Sequence, residues 1–232
     1  MSWLKRSIPP ARLRRNNIVL LVCMLILVLF FPVISSRKEF FGDVIFSGII
    51  LAGIFSLNFT ERTRKILLAT GGTTICLLWF SFFFDSRVWV LLAFINMFFY
   101  QSFILFFMIR HVGRSQAVNG TIILNAVNGY VLIGFLGALL LAMAEIVEWH
   151  LLGIKTPLIN IAGDVLPKFH DYLYFSFVTV TTLGYGDITP ANALAKSIVI
   201  LIATSGQLYL TVLVAMLVGK YLGRVREKTW KN

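Results

Sequence analysis

The stretch Thr181–Pro190, TTLGYGDITP, sets two glycines about a tyrosine, then an acid, then a proline, between two strongly apolar segments. Non-helical backbone at membrane depth is tolerated only where it is buried in protein or lines a watery cavity. Gly184 and Gly186 admit positive φ values that other residues resist. Alternating such residues with ordinary ones turns successive carbonyls toward one side. A row of carbonyl oxygens along an axis can replace the water shell of a small cation. One chain carries one such row, so a ring of oxygens calls for several copies around a cyclic axis.

The surrounding composition is that of an integral membrane protein. The 232 residues are 58% hydrophobic and 13% charged, with a formal net charge of +11, where soluble domains carry about a quarter charged residues. The basic residues fall in short runs between apolar segments, the pattern of membrane loops rather than of a nucleic-acid surface. Cys23 and Cys76 each lie inside an apolar segment, which excludes a disulfide framework and a zinc spacing.

A spanning helix needs about 20 mostly apolar residues. Six segments qualify: 17–35, 41–59, 64–84, 88–110, 129–149 and 194–219. The apolar piece 171–182 is too short to span and directly precedes the opening stretch, so it reads as a re-entrant helix. The first span follows a basic start, yet its apolar run exceeds that of a signal core, which makes it a retained helix. With the N-terminus inside, fifteen of the 21 Lys and Arg lie on the inner side and six outside. That bias places both termini in the cytoplasm. Trp79, Trp89 and Trp149 then mark outer helix ends, and Trp3 and Trp230 lie near the inner face, as indoles at interfaces do. The triplets Asn58-Phe59-Thr60 and Asn119-Gly120-Thr121 would be cytoplasmic and stay unmodified.

The expected organisation is a cytoplasmic tail 1–16, a four-helix scaffold 17–112, a cytoplasmic linker 113–128, a pore domain 129–223 and a cytoplasmic tail 224–232. The fourth span has Arg87 and Arg110 at its ends and no charge between. A charge crossing the membrane field contributes about 2.3 kcal/mol per 100 mV, so without an arginine array this segment has little to couple to voltage. Spans one to four read as packed helices, with Gly71-Gly72 allowing a close neighbour.

The run TTLGYGD resembles the selectivity-filter signature of the potassium channel superfamily. YFSFVTVTT is similar to that family's pore helix, and ITPANALAKSIVILIATSGQLYLTVLVAMLVGKY to its inner helix; the likeness covers residues 129–223. The resemblance implies a homotetramer. In it, the backbone carbonyls of Thr182, Leu183, Gly184 and Tyr185, with the Thr182 hydroxyl, form stacked K+ sites, and the Gly186 carbonyl lines the outer mouth. The side chains of Leu183 and Tyr185 are expected to point away from the ions and wedge against the pore helix. The C-terminal end of that helix carries about half a negative charge, which favours a central cation.

The departures from the family pattern shape further expectations. Leu183 stands where valine is commonest. Val178 stands where some members carry a glutamate that pairs with the filter aspartate, so Asp187 needs another partner, and Tyr174 is expected to donate a hydrogen bond to it. Thr181, Asp187, Tyr174, Val178 and Glu145 together form the expected filter support. Glu145 and Glu148 share a helix face, but with His150 as the nearest further ligand they make no full metal set. Glu145 resembles a carboxylate with which the family ties its outer helix to backbone behind the filter.

Gly206 sits mid-helix, where glycine costs about 1 kcal/mol relative to alanine. In similar channels such a glycine lets the inner helix bend, and close helix packing is the other reading. Gly219 is the second hinge candidate, and Ala215 and Met216 are expected near the inner mouth. The basic tail suits a cytoplasmic end beside anionic lipid.

The sequence thus points to an all-α membrane protein with six transmembrane helices, a re-entrant pore helix and a filter loop. Four copies would form a potassium-selective channel of the cell membrane, with K+ as the permeant ion, no cofactor, membrane lipid as its other partner and no nucleic acid. A weakly selective monovalent cation channel and a transporter are the alternatives. Against an enzyme stands the lack of a placed nucleophile, base or metal set. Against a transporter stands the lack of matching interrupted helices in two halves.

Overall fold

A computed structural model describes residues 10–35, 40–57, 59–83, 87–115, 118–161 and 166–229. Trp3, Trp230 and Asn58 lie outside the described residues. Seven α-helices are seen among them: α1 (Pro10–Ser35), α2 (Phe40–Phe55), α3 (Glu61–Phe83), α4 (Arg87–Arg114), α5 (Gly120–Ile146), α6 (Phe169–Val180) and α7 (Ala193–Thr229). Helix α5 runs on into a π-helical turn, Val147–Leu151. The structure is mostly helical, as expected, with one small two-stranded sheet beside the helices. Strands β1 (Ile159–Ile161) and β2 (Ile188–Pro190) pair antiparallel, with Ile159 opposite Pro190 and Ile161 opposite Ile188.

Six of these helices occupy the six expected segments, and α6 occupies the re-entrant one. Among the described residues, four stretches are long and apolar enough to cross a membrane: Ala11–Phe31, Arg87–Arg114, Gly120–Leu151 and Ala193–Gly223. Gly42–Phe55 is apolar but shorter. Helix α3 opens on Glu61, Arg62, Arg64 and Lys65, so its apolar run begins only at Ile66.

Residues 10–16, within the expected tail, are helical and run on into the first expected span, and Leu13 is already buried there. Helix α4 ends at Arg114 and α5 begins at Gly120, so most of the expected linker 113–128 is helical. Asn119 is the reason: its Oδ1 accepts the Ile122 N–H at 3.0 Å and caps the start of α5, the usual way an asparagine satisfies an orphan donor. The glycosylation-like triplet at this place is thus a helix cap.

Helix α5 is the hub. It packs against α1, α4, α6 and α7, and sixteen of its residues from Ile122 to Ala142 are buried. A helix that is apolar all round belongs inside. Its small residues let α6 in close. A Cβ at Gly134 would lie 2.8 Å from the Phe177 ring, and Ser176 Oγ donates to the Gly134 carbonyl at 2.6 Å. Helix α4 runs along α5, and their short connection makes the pair antiparallel.

Inside the scaffold, polar side chains bind helices together where water is scarce. Asn17 Nδ2 donates to the Leu13 carbonyl at 3.0 Å and the Ser56 carbonyl at 2.7 Å. Asn128 Nδ2 of α5 donates to the Asn17 carbonyl at 3.0 Å, and Tyr100 Oη of α4 to the Ile50 carbonyl of α2 at 2.5 Å. Of the glycine pair in α3, Gly71 provides the close approach, 2.9 Å from a built Cβ to Ile50 Cγ2, while Gly72 meets nothing.

Two contacts join the scaffold to α6 and α7. Phe169, the first residue of α6, sits among Phe31, Phe46, Phe94 and Phe135, with ring centroids 5.8, 5.4, 5.4 and 6.2 Å away. Edge and tilted geometries of this kind are favourable for aromatic pairs. At the other end, Lys220 Nζ of α7 donates to the carbonyls of Val112 and Gly113, in the last turn of α4. A cation there satisfies orphan carbonyls and complements the helix dipole. Between these contacts α7 leaves most of its apolar surface open. Ile200, Leu201, Leu208, Val212, Val214 and Val218 are each half or more exposed.

Candidate functional site

Helix α6 ends in a Schellman motif. The Leu183 N–H bonds to the Val178 carbonyl at 3.0 Å and the Thr182 N–H to the Thr179 carbonyl at 3.0 Å. Such an ending puts the residue just past the helix into the left-handed region, usually with glycine there. Here that residue is Thr182, at φ 60°. A non-glycine residue in this conformation costs roughly 1–2 kcal/mol, and the two backbone bonds hold it in place.

The left-handed conformation then recurs at every second residue: Thr182, Gly184 at φ 54° and Gly186 at φ 80°. The sequence marks Gly184 and Gly186 as such positions; it does not mark Thr182. Among the described residues no donor reaches the carbonyls of Thr182, Leu183, Gly184, Tyr185 or Gly186. These five consecutive carbonyls belong to exposed residues and form an open row of acceptors. The Thr182 hydroxyl donates to the Thr181 carbonyl at 2.6 Å, which leaves its oxygen lone pairs free for a cation. The Thr181 hydroxyl donates to the Phe177 carbonyl at 2.6 Å and fastens the helix end.

The wedge of Leu183 and Tyr185 against the pore helix is not formed within one chain. Leu183 and Tyr185 are 53% and 68% exposed. Val178 is buried, and its carbonyl accepts both the Leu183 and Gly184 N–H groups.

Tyr174 Oη donates to Asp187 Oδ2 at 2.6 Å, the bond expected from the absence of a glutamate at 178. That hydroxyl, helped by the Asp187 and Ile188 N–H groups, holds the Asp187 carboxyl below the usual carboxylate range. The same bond pushes the Tyr174 phenol up to about 12. Next, the chain enters β2, which is paired to β1. Glu145 Oε2 accepts the Leu158 N–H at 2.6 Å, just before β1, and the Leu158 carbonyl accepts the Ala191 N–H at 3.0 Å, just after β2. Glu145 therefore ties α5 to the two-stranded sheet that carries the loop's exit.

Glu148, three residues on, does something different. Its buried carboxylate accepts Asn192 Nδ2 at 2.7 Å, while Asn192 Oδ1 accepts the Ala195 N–H at 2.8 Å and caps α7. The two glutamates hold two segments, and no group of three or more potential metal ligands exists among the described residues.

Behind the loop, Tyr130 Oη donates to the Val180 carbonyl at 2.9 Å. Its ring stacks on Tyr209, centroids 6.3 Å apart and 28° between planes. Gly206 presses on the same place: a Cβ there would clash with Val180 Cγ2 and lie 3.0 Å from the Val180 carbonyl oxygen. The geometry gives Gly206 a packing role, and α7 is one continuous helix through it. Gly219 has open space around it. Ala215 is exposed on a free face with Thr211, Val214 and Val218. Met216 instead turns toward Val112, Ile122 and Leu213, so of the two expected at an inner mouth only Ala215 lies on the open face. The pairings of Tyr130 with Val180 and of Asn192 with Glu148 are not visible in the sequence, because the partners lie 44 or more positions apart.

Residues 121–222 match the family described as ion channel. Two-pore potassium channel 4 of Arabidopsis thaliana is 36% identical over 61 residues, which are 26% of this chain and 22% of that protein.

Proposed function

We propose that this chain, a member of the potassium channel superfamily through its ion-channel domain at residues 121–222, is one of four identical subunits of a potassium-selective channel. The observation that carries this reading is the loop after α6: five consecutive carbonyls without donors among the described residues, on a backbone that turns left-handed at every second residue. Four such rows around an axis would give stacked cages of oxygen at Thr182, Leu183, Gly184 and Tyr185, with Gly186 at the outer mouth, able to replace the hydration shell of K+. The chain works by passive conduction, and no chemical step is assigned to it.

In this arrangement all six long helices span the cell membrane, with both termini cytoplasmic, as the distribution of basic residues favours. The exposed apolar side of α7 and the uncovered Leu183 and Tyr185 meet neighbouring subunits, and the scaffold meets lipid. Tyr174, Asp187, Thr181, Val178 and Glu145 support the filter from outside the ion path. Ala215 lines the inner mouth, and Gly219, free of neighbours, is the place where α7 can bend.

The test is the reversal potential of the purified full-length protein in planar bilayers under opposed K+ and Na+ gradients. A reversal that follows the K+ gradient is expected. Equal permeability to the two ions would replace this reading by that of a weakly selective cation channel, and absence of current would overturn it.

A further inference from the structure

We infer that Tyr130 is a filter-positioning residue, whose hydroxyl fixes the peptide from which the filter starts; the inference rests on the proposed channel function. The last four carbonyls of a helix lack intrahelical donors. In α6 these belong to Phe177, Val178, Thr179 and Val180. The first three are satisfied by backbone N–H groups of Thr181, of Leu183 and Gly184, and of Thr182, respectively. Among the described residues the Val180 carbonyl has no backbone donor, and Val180 is fully buried. Its single partner there is Tyr130 Oη, 2.9 Å away.

Val180 lies two residues before Thr182, the strained residue at which the left-handed alternation begins. The peptide plane after Val180 sets the direction in which the chain leaves α6. Gly206 backs this carbonyl from the α7 side, leaving the peptide no room on that flank. The Tyr130 ring is itself held by its stack on Tyr209, whose hydroxyl donates to the Ala126 carbonyl of α5 at 2.7 Å. One phenol therefore connects the outer helix, the inner helix and the start of the filter. An unsatisfied buried carbonyl is costly, and without Tyr130 the peptide gains by rotating. That rotation carries Thr182 out of the geometry its carbonyl and hydroxyl need to hold K+.

The experiment compares the full-length protein with Tyr130→Phe, which keeps the ring and its stack and removes only the donor. The readout is the K+ concentration that half-saturates thermal stabilisation of the purified protein, with Na+ replacing K+ at constant ionic strength. A ligand that binds only the folded site stabilises it in proportion to occupancy. Tyr130→Phe is expected to raise the half-saturating K+ about fivefold, the effect of one net hydrogen bond. Tyr209→Phe, which keeps the ring and its stack and loses the bond to Ala126, is the comparison and is expected to shift the K+ dependence less than Tyr130→Phe. Should Tyr130→Phe fail to assemble, a fluorinated tyrosine at 130, a stronger donor of the same shape, is expected to lower the half-saturating K+. A parent-like K+ dependence in the Tyr130 variant tested, or an equal shift in Tyr209→Phe, overturns the inference. If the parent shows no K+-specific stabilisation and no K+ current, the channel reading fails instead.

Discussion

The substitution Gly206→Ala separates two roles for a glycine in the middle of α7 by the sign of one number. If Gly206 serves only as a point of bending, replacing it removes the intrinsic helix penalty of glycine, and the protein gains about 1 kcal/mol per subunit. The structure predicts the opposite sign. A built Cβ collides with Val180 Cγ2 and sits 3.0 Å from the Val180 carbonyl, with backbone on one side and a buried branched side chain on the other. Overpacking of this kind costs about 1–3 kcal/mol, so the helix gain is cancelled or exceeded and the net change runs from near zero to about 2 kcal/mol destabilising. Gly219→Ala is the internal standard, because nothing lies within 4 Å of its built Cβ. Thermal midpoints of purified protein at a single heating rate in K+ should rank Gly219→Ala at or above the parent and Gly206→Ala below it. Trimming the obstacle should help: in a double-mutant cycle with Val180→Ala, the pair is expected to be better by about 1 kcal/mol than the sum of its parts, as for residues in contact. A Gly206→Ala midpoint raised as far as that of Gly219→Ala, with no coupling to Val180, would refute the packing argument.

Three other contacts carry expected outcomes of their own. Glu145→Ala removes the acceptor of the Leu158 N–H; a bond to a charged group is worth about 1.5–3 kcal/mol, so the thermal midpoint should fall while K+ over Na+ reversal potentials stay where they were. Asn192→Ala deletes the cap of α7 and strips the buried Glu148 carboxylate of its donor; loss of the cap alone costs about 0.5–2 kcal/mol, and hydrogen exchange in the first turn of α7 should accelerate. Tyr174→Phe frees Asp187, whose carboxyl is held below its ordinary range. The stabilisation linked to a depressed carboxyl is full above its ordinary pKa and is lost as pH falls through the depressed value. External acidification should therefore abolish conduction at a higher pH in Tyr174→Phe than in the parent, and coincident pH profiles would count against any role for the bond.

What could be read in the chain and what could not divides along sequence distance. Helices α1, α4, α5 and α7 announce themselves through apolar run length, a local property. So does the alternation at Gly184 and Gly186, because glycine is the residue for which a left-handed conformation carries no steric penalty. The Tyr174–Asp187 bond is also accessible, since Val178 removes the rival partner and leaves a hydroxyl one turn away. Thr182 is hidden, because threonine does not advertise a left-handed conformation that a helix ending imposes on it. The bonds of Tyr130 to Val180 and of Asn192 to Glu148 are hidden for another reason: they are pairings between distant segments that no periodicity encodes. The start of α5 falls nine residues before the expected 129, since polar Asn125 and Asn128 look like loop residues until they are found buried.

The attachment of Lys220 to the end of α4 bears on how force travels in this molecule. An ammonium group bound to two peptide oxygens makes a tether, and α4 in turn packs along α5. Any sideways excursion of the far end of α7 must drag α4 along or strip three polar groups of their partners. A displacement at the far end of α7 is thereby passed to α4 through a polar clasp and not through apolar packing alone.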